Sequence, residues 1–114
     1  MKLLVLYLKM NLSSMMKLTN NQKKYLRTLA HDLRPIVMVG QQGLSEAVLA
    51  ELESTMTKHE LLKIKVRAND RKEKQQIVDK ILNFSKAALV QVIGGVLVIY
   101  RPFDENPSII LPRT

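Results

Sequence analysis

The segment from Leu62 to Arg67 alternates apolar and basic residues without exception. Because successive side chains of a β-strand point to opposite faces of its sheet, the segment predicts a strand with one apolar and one purely basic face. The apolar set is Leu62, Ile64 and Val66, and the basic set is Lys63, Lys65 and Arg67. The basic face has two interpretations that the sequence leaves open: contact with phosphate groups, or lysines that protect an edge strand from aggregation.

The first predicted helix begins at Thr19, which is spaced to form a capping box with Gln22. Its core-facing stripe at helical spacing consists of Leu26, Leu29, Ala30 and Leu33. Another side of the helix is cationic and consists of Lys23, Arg27 and His31. The helix is expected to end at Arg34, because a residue before proline is pushed out of the α region.

A short strand, a glycine loop and a second helix follow. The run from Ile36 to Val39 is uniformly apolar, which favours a strand buried on both faces. After the loop, Ser45 is a good N-cap for a second helix. The core-facing side of that helix is predicted to consist of Val48, Leu52 and Met56.

The sequence pattern of the C-terminal half predicts a third helix followed by a β-hairpin. Asp70 caps the helix, and its predicted core residues are Ile77, Val78, Ile81 and Phe84. Two β-rich runs, Leu89 to Ile93 and Val96 to Tyr100, flank a Gly94-Gly95 turn, and Tyr100 is also expected in the core. The order is therefore α-β-α-β-α-β-β. Strand-helix-strand alternation favours parallel pairing, so the expected fold class is α/β: a single compact domain with a four-stranded mixed sheet.

Charge and composition restrict the partner. Eighteen Lys and Arg against ten Asp and Glu give a net charge of +8, which favours nucleic acid first and anionic membrane second. The basic residues are spread over helices and strands, whereas a membrane-surface protein needs a basic amphipathic helix, so no membrane partner is predicted. Zero cysteines exclude disulfides and fit a reducing compartment, and we expect a cytoplasmic location.

Patterns typical of catalysis and metal binding are missing from the sequence. His31 and His59 lie in different segments without partners at ligand spacing, so no metal site is predicted. The sequence also lacks a nucleophile elbow and a Walker loop. We expect no enzymatic activity, no small-molecule substrate and no cofactor, and we expect a monomer.

Residues 1–15 differ from the rest of the chain. The apolar run after Lys2 stops at Lys9, shorter than the core of a secretion signal, and no small-residue cleavage site follows. We predict that these residues are a non-native upstream extension and that translation begins at Met15 or Met16, which the intact mass of the natively expressed protein would test. Without residues 1–15, which contain two lysines and no acidic residue, the net charge is +6.

The loop Gly40-Gln41-Gln42-Gly43 lies between the first strand and the second helix. Glycine lets the backbone approach a ligand closely, and the N-terminus of a helix attracts phosphate. A GXXG loop clamps the nucleotide backbone in the KH module, where it joins two helices. Two glycines at this spacing also occur in ordinary turns, but Arg34 and the cationic side of the first helix lie close in sequence and favour phosphate binding.

Five motifs occur in order along the chain. They are Leu29-Ala30-His31, Leu33-Arg34-Pro35-Ile36-Val37, Val39-Gly40-Gln41-Gln42-Gly43-Leu44, His59-Glu60-Leu61-Leu62-Lys63-Ile64-Lys65-Val66, and Gly94 with Val98-Ile99-Tyr100-Arg101. Together they resemble the CRM-domain family, specifically its bacterial single-domain YhbY-like members. The resemblance covers residues 16–101, leaves 102–114 as an extended C-terminal tail, and implies an RNA-binding domain with a fold like the C-terminal domain of bacterial translation initiation factor three.

The resemblance also implies a target and a site. Bacterial members are associated with precursors of the large ribosomal subunit, and plant relatives act in organellar intron splicing. The family's glycine loop and nearby basic surface are taken to contact RNA, which here implies Gly40 to Gly43, Arg34, Lys63 and Lys65. One departure is Ser85-Lys86-Ala87, where relatives commonly have a Thr-Gly-Ala type turn, so the exit from the third helix differs from the family pattern.

The sequence therefore predicts a ribosome assembly factor that binds ribosomal RNA in large-subunit precursors, mainly through backbone phosphates. The predicted RNA-binding residues are Gly40, Gln41, Gln42, Gly43, Arg34, Lys23, Arg27, His31, Lys63, Lys65 and Arg67. Two alternatives remain: a DNA-binding architectural protein, and a protein-interaction module that docks on acidic partners. Competition between duplex DNA and structured RNA separates the first, and nuclease treatment before co-purification separates the second.

Overall fold

The computed structural model describes residues 17–114, so the predicted extension 1–15 and the predicted start at Met15 or Met16 lie outside the described residues. The helices are α1 (Asn20–Ala30), α2 (Glu46–Met56) and α3 (Arg71–Ser85), and the strands are β1 (Pro35–Val39), β2 (Leu61–Val66), β3 (Ala88–Ile93) and β4 (Val96–Tyr100). This is the predicted order of elements. Among the described residues, no helix has the length and apolar character needed to cross a membrane.

The four strands form one mixed sheet in the order β1-β2-β4-β3. β1 and β2 pair in parallel through the α2 crossover, while β4 is antiparallel to both of its neighbours, β2 and β3. The hairpin therefore inserts its second strand between β2 and β3. The predicted fold class, an α/β domain with a four-stranded mixed sheet, is confirmed.

One face of the sheet, called the closed face below, is covered by α2 and α3. Its buried residues on the strands are Val37, Val39, Leu62, Ile64, Val66, Leu97 and Ile99. The two helices contribute Leu52, Met56, Ile77, Val78 and Ile81 to the same core. The alternation of β2 is thus confirmed, because its apolar set lies in this core.

The opposite face, called the open face, carries Lys63 and Lys65 and is only partly covered. Helix α1 packs Leu26 and Ala30 on a second, smaller core whose sheet residues are Leu61, Val90, Val98 and Tyr100. The rest of this face is accessible, since Met38 keeps 53% of its surface exposed and Lys65 is exposed.

The C-terminal segment 102–114 has no helix or strand, and it is held on the domain. The carboxylate of Glu60, 3% exposed, accepts hydrogen bonds from the backbone N–H groups of Phe103, Ser108 and Ile109 at 2.7–2.8 Å. Ile109 and Leu111 pack against the second core. Beneath this segment, burial and then the Glu60 charge raise the pKa of Tyr100 above 10.0.

The predicted helix caps are present. Thr19 and Gln22 form a reciprocal capping box, and Asp70 accepts from the backbone N–H of Glu73 at 2.8 Å. Ser45 accepts from the backbone N–H of Val48 at 3.2 Å. These bonds satisfy N–H groups that a helix cannot satisfy internally, which is why the capping residues predicted the starts of all three helices.

Strand positions differ from the sequence-based expectations in two places. β1 is an edge strand, and its burial alternates: Val37 and Val39 are buried, while Ile36 and Met38 are 47% and 53% exposed. The interpretation that β1 is buried on both faces is therefore wrong, because the open face beside it lacks a covering helix. β2 pairs on both sides, so the interpretation of its lysines as protection for an edge strand is also wrong.

Helix-face expectations were wrong at three residues. α1 ends at Ala30, four residues before Arg34, and a turn closed by Leu33 N–H on Ala30 O at 3.0 Å follows. Leu29 and Leu33 are each 39% exposed, since the residues that this helix buries against the sheet are Leu26 and Ala30. Phe84 was also expected in the core and is 43% exposed.

Candidate nucleic-acid interface

The Gly40–Gly43 loop is a tight turn at the C-terminal end of β1. The backbone N–H of Gly43 donates to the carbonyl oxygen of Gly40 at 3.0 Å, and Gly43 has φ of +76°. Ser45 then caps α2, so the loop lies directly before a helix N-terminus. The sequence prediction of a strand-to-helix junction is confirmed, although the Gly43 N–H is used within the turn.

The two loop glycines differ in backbone conformation. Gly43 needs positive φ, a conformation that side chains with a Cβ rarely adopt. Gly40 has no such φ, and a Cβ built there meets nothing within 4 Å. Since neither backbone conformation nor packing requires glycine at Gly40, the residue leaves its backbone accessible to a close-approaching ligand.

The side chains of Lys63, Lys65 and Arg67 form a row, called the basic track, that runs along β2 towards this loop. Lys63 pairs in register with Pro35, at the start of β1, and Lys65 pairs with Met38. At the end of the row, the Arg67 N–H donates to the carbonyl oxygen of Val39 at 2.9 Å, one residue before Gly40. The track therefore connects the start of β1 with the glycine loop.

Arg34 is not brought to the loop. It is exposed and precedes β1, whereas Gly40 follows β1. Six residue steps of extended strand place the two about 20 Å apart. Arg34 is therefore close to the loop in sequence but not in space, and it lies near the Lys63 end of the basic track.

The cationic side of α1 meets the basic track at a cleft. Arg27 on α1 and His31, the residue that caps its C-terminus, line this cleft together with Lys63. The Lys63 Nζ donates to the carbonyl oxygen of His31 at 3.4 Å. Lys23 lies one turn earlier on α1 and is half-buried. The predicted cationic stripe thus continues onto the sheet through Arg27 and His31.

The first turn of α3 is rich in basic residues. Arg71 and Lys74 line a second cleft with the Gly94-Gly95 turn, and the Lys74 Nζ donates to the carbonyl oxygen of Gly94 at 3.2 Å. This cleft follows the C-terminal end of β2, the same sheet edge as the glycine loop. The cleft and the glycine loop share this edge because β1 and β2 are parallel, and the segments that follow parallel strands meet at one edge.

Groups suited to metal binding are not brought together in the part of the chain that the structure describes. Residues 17–114 contain no cluster of three or more His, Asp or Glu side chains placed to hold an ion. The arrangement of the interface is instead cationic. What it can do chemically is neutralise phosphate groups along the basic track and approach a backbone closely at Gly40.

Comparisons with known proteins agree with this fold. An RNA-binding protein of Haemophilus influenzae is 50% identical over 99 residues, covering 87% of this chain and 99% of the relative. A probable RNA-binding protein of Bacillus subtilis, YqeI, is 35% identical over 95 residues, covering 83% of this chain and 99% of the relative. The solution structure of a putative RNA binding protein from Staphylococcus aureus, SAV1595, superposes with a TM-score of 0.73 at 38% identity, covering 84% of this chain and all of that one.

A family model covers most of the described domain. The match runs over residues 18–101, from just before α1 to just after β4. It includes the glycine loop, the basic track and the cationic side of α1. With this match and the relatives above, the chain belongs to the CRS1 / YhbY (CRM) domain family.

Proposed function

We propose that this protein binds RNA through its phosphate backbone, over a surface that runs from α1 along the basic track to the Gly40–Gly43 loop. The basic track is the observation that carries the proposal. The track runs along β2, an interior strand whose lysines do not protect a sheet edge. It ends beside Gly40, where an added Cβ would meet nothing within 4 Å. Membership of the CRM family and the RNA-binding relatives support RNA as the polyanion.

The target is ribosomal RNA in precursors of the large subunit, and the protein acts there as an assembly factor. Support comes from the resemblance to bacterial YhbY-like proteins, which are associated with such precursors. A domain of this size suits that role, because it can cover a short stretch of RNA backbone. Recognition is by phosphate position and RNA shape, with the track supplying the charge.

Salt dependence tests the proposal. Affinity of the full chain for a transcribed large-subunit ribosomal RNA is measured between low and moderate salt. Three or more phosphate contacts predict a slope of log affinity against log salt of about −2 or steeper, because each contact releases condensed counterions. Binding that is insensitive to salt contradicts the proposal, and excess duplex DNA must not displace the RNA.

Variants locate the contact. The double variant Lys63→Gln, Lys65→Gln should make the salt slope shallower by about 1.5. The double variant Lys58→Gln, Lys80→Gln removes the same charge from two exposed positions, one in the turn after α2 and one on α3, and should leave the slope unchanged. Equal effects of the two pairs would mean that net charge, and not this surface, determines binding.

The glycine loop is tested separately. Gly40→Ala meets no steric obstacle within the protein, so the melting temperature should be unchanged. RNA affinity should fall by about tenfold or more, because the added methyl group blocks the close approach of a phosphate to the backbone and weakens one charged hydrogen bond. Gly43→Ala should lower the melting temperature as well, because of its positive φ. Undiminished affinity of Gly40→Ala would remove the loop from the interface.

A further inference from the structure

The cleft between α1 and the open face has a lining that phosphate contact alone does not explain. It has a volume of about 230 Å³ and is lined by Arg27, Ala30, His31, Lys63, Gln91, Ile93, Val96 and Val98. Half of these residues are apolar, a set called the floor below that consists of Ala30, Ile93, Val96 and Val98, and no acidic residue lines the cleft. A site built only for phosphate has no use for an apolar floor.

A β-bulge brings Gln91 to this cleft. Leu89 pairs with Ile99 and Gln91 with Val98, so Val90 is an extra residue in β3. Without the bulge, Gln91 would alternate onto the closed face, whereas here Val90 is buried beneath α1 and Gln91 lies half-buried in the cleft. Bulges that re-aim a side chain occur preferentially next to binding sites.

The cleft combines the three chemical features that an unpaired nucleotide requires. Arg27 and Lys63 provide cations for a phosphate, and the planar groups of His31 and Arg27 can stack on a base. The Gln91 amide both donates and accepts, as the edge of a base does. The cleft is smaller than the roughly 300–1,000 Å³ of pockets for drug-sized ligands, which suits a single base and not a base pair.

We propose that this cleft holds one unpaired nucleotide of the bound RNA, with its base on the floor of Ile93 and Val96 and its phosphate between Arg27 and Lys63. The inference rests on the proposed function and adds a preference to it. RNA that presents a bulged or flipped-out nucleotide next to a helix is bound more tightly than a fully paired RNA, because stacking adds to phosphate contact.

Two RNAs test the preference in the full chain. A short, fully paired RNA hairpin is compared with the same hairpin carrying one bulged adenosine. The bulged hairpin should bind about tenfold more tightly, which is the effect expected from one stacked base. Equal affinities would overturn the cleft assignment and leave RNA binding in place, whereas binding of neither hairpin would overturn the proposed function itself.

A matched pair of variants ties the preference to the cleft. Ile93→Ser removes part of the floor at a residue that is 61% exposed, and should abolish the preference while binding of the paired hairpin changes less than about twofold. Val92→Ser changes the neighbouring residue, which lies on the other face of β3 and is 37% exposed, and should keep the preference. If both variants behave alike, the cleft assignment is wrong.

Titration with adenosine monophosphate tests the cleft without RNA. Backbone amide resonances of residues 91–96 and the side-chain amide of Gln91 should shift and saturate, and ribose 5-phosphate should shift them much less. This result is expected only if the base contributes to binding. Equal shifts with the two compounds, or no shifts in the cleft, would overturn the proposal.

Discussion

Helices α1 and α2 cover opposite faces of the sheet and carry opposite charge, whereas α3, which is also on the closed face, contains four basic and two acidic residues. α1, on the open face, contains three basic and no acidic residues, and α2, on the closed face, contains three acidic and no basic residues. The closed face buries a large apolar core, while the open face leaves Lys65 and Met38 exposed. One side of the sheet therefore supplies most of the stability, and the other presents the cationic surface.

The largest difference in the free energy of unfolding should come from truncating an isoleucine to alanine on each face. Ile64→Ala removes a fully buried side chain from the closed face and should lower the free energy of unfolding by about 2–5 kcal/mol. Ile36→Ala, on the adjacent strand but 47% exposed, should cost about 1 kcal/mol or less. Urea denaturation measures both, and similar losses would contradict the contrast between the faces.

Glu60 tests how the second core depends on the C-terminal segment. Glu60→Gln keeps the shape but loses the charge that accepts three N–H groups, and should lower the free energy of unfolding by about 1.5–3 kcal/mol. Faster amide exchange at Ser108 and Ile109 should accompany the loss. Glu105→Gln, an exposed change in the same segment, is the control and should be neutral; a neutral Glu60→Gln would mean that the segment is held by Ile109 and Leu111 alone.

The ionisation of Tyr100 gives Glu60→Gln a second readout. Its folded-state pKa is raised above 10.0, first by burial and second by Glu60, so the unfolded chain ionises this tyrosine more readily. The resulting stabilisation is complete below pH about 10 and is lost as pH rises above it. In Glu60→Gln the Tyr100 pKa should fall but stay above 10.0, because the burial remains; spectrophotometric titration measures it.

The smallest effect concerns the departure from the family pattern after α3. Lys86 adopts φ of 58°, and its N–H donates to Leu82 O at 2.9 Å, so a non-glycine residue occupies a left-handed helix cap. Lys86→Gly should raise the free energy of unfolding by about 0.5–1 kcal/mol by relieving this strain. Lys80→Gly, inside the same helix, should lower it by about 1 kcal/mol. Thermal unfolding of both variants must therefore give opposite signs.

Much of the fold could be predicted from local signals. Thr19, Ser45 and Asp70 each marked a helix start, because a side-chain oxygen that satisfies a free N–H is a local requirement. Gly94-Gly95 marked the hairpin, because glycine tolerates the positive φ that a two-residue turn requires and that Gly94 adopts. Expectations about burial were weaker: Phe84 and Leu33 match the periodicity of a core face yet remain exposed, since periodicity does not show how far the covering surface extends.

The sequence predicted the separate features of the candidate site but not how they are placed relative to one another. The alternation from Lys63 to Arg67 fixed a basic face by itself, because the period of a strand is two. Whether β2 lies at an edge depends on β4, because the pairing of β4 with β2 makes β2 an interior strand. Arg34 seemed adjacent to Gly40 because the two are close in sequence, and the extension of β1 separates them.

By itself, the sequence determined the order of elements, the helix caps, the apolar and basic faces of β2 and the glycine junction, all of which depend on residues within a few positions of one another. Only the tertiary structure decided that β2 is interior, that α1 leaves part of the open face accessible, and that a bulge in β3 places Gln91 in the same cleft as Arg27. These features arise from contacts between residues far apart in the chain, which local spacing does not encode.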